Sequence, residues 1–162
     1  MGVAEDLLAL AFRLARPAAT EPEQASFRRA ISTAYYALFH LLIQDAVEGW
    51  RGSSTARLGL ERKFEHKTMK EVSNSVSRGW WRGWSTPSPK IPPELEVVTR
   101  AFVDLQESRL QADYDNSRIW KYADVLAKVD DVRIAFDNWA IIRGQPAAKE
   151  YLLSLLVGVK RE

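Results

Sequence analysis

From Glu23 to Glu48 the sequence contains neither glycine nor proline, and apolar residues would cover most of the circumference of a helix over that span: Ala30, Ile31, Ala34, Tyr35, Leu38, Phe39, Leu41 and Leu42. A helix that is apolar on nearly every side has to be enclosed by several other elements, because one partner covers only one stripe of it. Those elements read as helices. No stretch alternates apolar and polar residues between hairpin turns, as a half-buried strand would. Thr20 as cap, Pro22 in the first turn and Glu23 as capping-box partner mark the start of the long helix, and Gly49 marks its end.

The other helical spans follow from spacing and from their stops. Val3 to Arg16 carries Leu7, Leu8, Ala11, Phe12 and Ala15 at helical intervals, with Pro17 behind them. Gly49 to Gly59 is loop-like, and a third helix is expected from about Leu60 to Ser77. Prolines at 87, 89, 92 and 93 keep the Trp/Pro-rich connection at about 78–93 out of regular helix. A fourth helix runs from Glu94 to about Tyr114. Asp115, Asn116 or Ser117 caps another to about Arg143, stopped by Gly144 and Pro146, and Ala147 to Val157 forms a short last one. The expected architecture is all-α, an antiparallel bundle of about five to six helices in a single domain over residues 1–162. In its core, Tyr35, Leu38, Phe39 and Leu42 are expected to lie against the helix after Ser117, through Ile119, Tyr122, Ala123, Leu126 and Val129.

At 162 residues the chain can bury a core without a disulfide or metal staple, and it has no cysteine. That excludes a thiolate zinc site and a cysteine nucleophile, and it suits a reducing compartment. With 23 basic and 21 acidic residues the net charge is only +2, so the total does not demand a basic face for nucleic acid. There is no Gly-rich phosphate loop, no ligand cluster with metal spacing and no nucleophile elbow, so neither a cofactor nor a metal is expected. No apolar stretch approaches the roughly 20 residues that span a bilayer. Glu5 and Asp6 replace the basic segment of a signal peptide, and Asp6 stands where a myristoylation motif needs Ser or Thr, so a cytoplasmic protein without membrane contact is expected.

Three groups of residues carry chemistry. On the long helix Arg29, Ser32, Thr33, Tyr36 and His40 form a polar stripe, read either as a satisfied hydrogen-bond network or as the lining of a pocket or dimer seam. Near the end of the fourth helix, Arg109 and Asp113 are four residues apart and can pair on one face. The segment Arg78, Trp80, Trp81, Arg82 and Trp84 combines cations with aromatic rings, as single-strand binders do. The same tryptophans could instead pack a long connection onto the bundle or form a protein interface.

Arg28-x5-Ala34-Tyr35-Tyr36-Ala37-x-Phe39-His40, together with Arg109-x-x-Ala112-Asp113-Tyr114-Asp115, resembles the HEPN superfamily, and within it the bacterial proteins found beside minimal nucleotidyltransferases. The resemblance covers about residues 5–143, and Phe64-Glu65-His66-Lys67 is similar to a less defined position of that family. It implies two long antiparallel helices, a homodimer and a cleft at the dimer interface. In ribonuclease members, an arginine followed after four to six residues by a histidine handles the scissile phosphate and the ribose 2′-hydroxyl. Here four residues separate Arg109 from Tyr114, so a tyrosine stands in the histidine's place. A phenol, with an ordinary pKa near about 10, makes a poor general base at neutral pH. Spacing offers no replacement, since three residues lie between Arg62 and His66 and ten between Arg29 and His40, although His40 could come near in space.

Three functions are compatible with these residues. The resemblance and the missing histidine favour a non-catalytic dimeric module associated with RNA or nucleotides, in a toxin–antitoxin or defence setting, with a nucleotidyltransferase-type or antitoxin partner. A metal-independent endoribonuclease toxin would draw on Arg109, Asp113, Tyr114, His40 and Tyr36. An RNA-binding protein would use Arg78, Trp80, Trp81, Arg82 and Trp84.

Overall fold

The computed structural model describes residues 2–50 and 52–160. The described residues are all-α, with seven helices and no strand: α1 Val3–Leu14, α2 Glu23–Glu48, α3 Ser54–Glu61, α4 His66–Ser77, α5 Pro93–Tyr114, α6 Tyr122–Ile142 and α7 Pro146–Val157. The chain divides into two compact units, residues 1–41 with 101–136 and residues 42–100 with 137–162, so that α2, α5 and α6 each supply residues to both.

Three spans differ from the expectation. Residues 49–59, expected to be loop-like, hold most of α3, which Ser53 caps by accepting the Ala56 N–H at 3.2 Å, and the helix expected from residue 60 begins only at His66. After α3 the backbone tightens into i→i−3 hydrogen bonds, Lys63 N–H to the Leu60 carbonyl at 3.0 Å and Phe64 N–H to Glu61 at 3.4 Å, and the turn buries Phe64. The residues read as the cap of the sixth helix do not open it. The Asp115 carboxylate instead accepts the Ser117 N–H at 3.0 Å and its hydroxyl at 2.6 Å, closing a local turn, and α6 begins only at Tyr122. Those two bonds, the hydroxyl's foremost, hold the Asp115 carboxyl below its ordinary range.

In the first unit the core side of α6 is Val125, Val129, Val132 and Ala135, at intervals of four, three and three. Tyr35, Leu38 and Phe39 are buried, as is Val129, but Ile119 is 77% exposed and Tyr122 and Ala123 are exposed too. Of the expected stripe Val129 is buried and Leu126 half-buried, whereas its first part faces outward: Ile119 belongs to the connecting loop, and the Tyr122 hydroxyl lies at the surface, where it accepts the Arg16 Nε–H at 3.1 Å. Two side chains of α2 fasten that loop. Arg28 donates to the carbonyls of Ala112 at 2.8 Å, Asp115 at 2.9 Å and Arg118 at 2.7 Å, satisfying the free acceptors at the end of α5. Gln24 makes a reciprocal pair with the Trp120 backbone, donating at 2.8 Å and accepting at 2.9 Å.

In the second unit Trp139, Tyr151, Met69, Leu95 and Ile142 form the centre. Trp139 meets Tyr151 edge-on with ring centroids 6.2 Å apart and donates its indole N–H to Asp45 at 2.6 Å. Asp45 also pairs with Arg143. Between α4 and α7, the Tyr151 hydroxyl shares a 2.7 Å hydrogen bond with Ser73, and burial pushes that phenol above its ordinary range. Leu42 is buried in this unit.

Candidate functional site

In the first unit the structure joins Arg109 and Asp113 of α5 to Tyr36 of α2. One guanidinium nitrogen of Arg109, Nη1, lies 3.4 Å from the Tyr36 hydroxyl and 3.5 Å from Asp113 Oδ2, both at the long end of hydrogen bonding. The larger contact is with rings. Arg109 Cζ stands 5.1 Å from the Tyr35 ring centre and 5.6 Å from that of Tyr36, within cation–π range of both. Tyr35 is held for this by burial, tilted against Phe102 at 5.5 Å and edge-on to Tyr36 at 5.2 Å. The Arg109 side chain is only 12% exposed, and its Nε is buried with no hydrogen-bond partner among the described residues.

His40 follows one turn after Tyr36, their rings 6.3 Å apart, and both are half-buried. Ser32 and Thr33 are half-buried and Arg29 exposed, so the polar stripe sits at the edge of the core and not inside it. Tyr114 is 75% exposed at the last position of α5. The cluster therefore offers a shielded, permanently charged guanidinium framed by two phenol rings and a carboxylate. It can bind or neutralise an anion.

His66 and Lys67 open α4 and belong to the second unit. So do the tryptophans, which part company there. Trp81 is buried and donates its indole N–H to Ser154 at 3.1 Å, while Trp80 and Trp84 are exposed. The connection is tied down by Glu150 of α7, which accepts the N–H groups of Trp84 at 2.8 Å and Ser85 at 3.3 Å as well as the Ser85 hydroxyl. The Ser85 hydroxyl foremost, with those two N–H groups, holds the Glu150 carboxyl below its ordinary range. This unit also holds an open cleft of about 770 Å³, lined by Trp50, Leu60, Phe64, Leu152, Leu153 and Leu156 beside the Asp45–Arg143 pair.

Residue spacing alone leaves three roles unread. Tyr35 looks like core yet supports Arg109, Arg28 clamps carbonyls, and Glu150 anchors a segment more than sixty residues earlier. Among the described residues no group of three or more His, Asp or Glu could hold a metal ion, and no helix is long and apolar enough to cross a membrane. Comparison with family models, curated proteins and solved structures finds no match to this chain.

Proposed function

We propose that this chain is a HEPN-like, non-cleaving interaction module. In this reading it works as a homodimer associated with RNA or nucleotides, in a toxin–antitoxin or defence setting beside a nucleotidyltransferase-type or antitoxin partner. The observation that carries the reading is Arg109. Its guanidinium is layered on Tyr35 and Tyr36 and sits beside Asp113, while the phenol of Tyr114 occupies the position where the ribonuclease motif needs an imidazole. An arginine so placed stabilises charge, but no group at the motif position is matched to proton transfer at neutral pH.

Incubation of the purified chain with total RNA at neutral pH, with and without chelator, is expected to give no cleavage. Chelator-resistant cleavage that disappears in Arg109→Lys would overturn the reading and promote the endoribonuclease toxin, with His40 as the proton-handling group. Assembly is tested separately. Light scattering at micromolar concentration is expected to give about twice 18.4 kDa, through a self-complementary interface. A clean monomer would sink the homodimer.

A further inference from the structure

Charge in this chain is unevenly distributed. Between residues 62 and 90 lie seven lysines and arginines against two acidic residues, a local excess of five in a chain whose total is +2. On α4, Lys67, Lys70 and Asn74 recur at helical intervals with Arg78, the residue that ends the helix, so they share one face. Glu71 lies beside them, and Glu65 precedes the helix. The helix dipole does not explain Lys67. The first turn of α4 contains no acidic residue and includes Lys67, where the macrodipole disfavours a cation.

This basic face leads to an exposed ring. Gly79, at φ 73°, takes the left-handed conformation that ends α4, with Gly79 N–H on the Val76 carbonyl at 3.0 Å and Trp80 N–H on Ser75 at 2.9 Å. Trp80 is thereby held by its own backbone, yet it is 72% exposed, and Arg78 Cζ stands 5.3 Å from its ring centre. The neighbouring Trp81 is buried on Ser154, and Trp84 is again exposed where Glu150 binds its N–H. Two exposed indoles thus stand on a segment fastened at Trp81, Trp84 and Ser85, and the first of them adjoins the row of cations through Arg78.

We propose that this surface binds single-stranded nucleic acid: Trp80 and Trp84 stack unpaired bases, and Lys67, Lys70 and Arg78 meet the phosphates. Cations beside exposed rings on a fastened backbone match a strand that alternates charge with π faces, and stacking of that kind tolerates any base. An apolar protein partner would be served by the indoles but has no need of the local positive excess. Trp84 adds area, and its carboxylate neighbour Glu150 is occupied by the N–H groups it accepts.

The test is fluorescence anisotropy of the full chain with labelled oligomers of about a dozen uridines or thymidines, and with a duplex of the same length. Single strands of either sugar are expected to bind more tightly than duplex, whose bases are already stacked. Trp80→Ala should weaken single-strand binding about fivefold or more, and Trp80→Phe should restore most of it. Replacing Lys67 and Arg78 together by glutamine should make the dependence of log K on log salt shallower by about 1.4. Trp80 is exposed, so an unchanged thermal melt of Trp80→Ala is expected and shows that any loss is local. Absence of binding at low salt, equal affinity for duplex, or wild-type affinity in Trp80→Ala would each overturn the proposal. The last would leave Trp80 to a protein partner.

Discussion

Trp139→Ala is expected to destabilise the chain by about 3–5 kcal/mol and to lower its melting temperature by roughly 6–20 °C. The indole is 1% exposed at the centre of the second unit and touches Tyr151 edge-on. Its removal therefore leaves a cavity that close-packed neighbours cannot readily fill. It also takes a donor from Asp45, which keeps only its pairing with Arg143. Trp139→Phe separates the two effects. Phenylalanine refills most of the volume and leaves only the missing N–H, so its cost should fall to about 1–2 kcal/mol. Denaturant unfolding measures both variants, and a loss below about 1 kcal/mol for the alanine variant would mean that this ring is not central to the core.

The second large effect is at Arg28. Arg28→Ala should cost about 2–3 kcal/mol, since three carbonyls at and beyond the end of α5 lose a charged donor together. Arg28→Lys should recover less than half, because an ammonium group lacks the planar fork that reaches Ala112, Asp115 and Arg118 at once. Amide exchange should accelerate most over residues 112–120, the stretch that Arg28 and Gln24 hold. If stability changed by less than about 0.5 kcal/mol, the range of an ordinary surface substitution, the clamp would be decorative. The same anchor fixes the end of the helix that carries Arg109 and Asp113, so its loss should also loosen the candidate site.

Helix periodicity and proline or glycine stops placed most of the elements, because those signals are local and repeat several times per helix. α2 is the clearest case, its apolar circumference reappearing as the buried Ala30, Ile31, Ala34, Tyr35 and Leu38. The readings that failed depended on single residues. Asp115 is as good a partner for Ser117 as it is a helix cap, and composition does not say which it becomes. The break before α4 depends on where Phe64 finds burial, which is a tertiary matter. At the candidate site the pairing of Arg109 with Asp113 was legible, since four residues of helix bring them together. The second role of Tyr35, under the guanidinium, was not, because it requires knowing which face of α5 meets α2. Trp80 and Trp81 make the limit plain: two adjacent, identical residues have opposite exposures, decided by a left-handed turn at Gly79 and a hydroxyl at Ser154.

That hydroxyl has a consequence for the order in which the protein is made. Trp81 leaves the ribosome 73 residues before the serine that receives its N–H, and Trp84 precedes Glu150 by 66. At about 5–20 residues per second, the tryptophan-rich connection waits roughly 4–15 s on the growing chain before its anchors on α7 have been synthesised. Throughout that interval Trp81 has no Ser154 to receive its N–H. The contacts that Ser154 and Glu150 make with the connection can form only after α7 has been made.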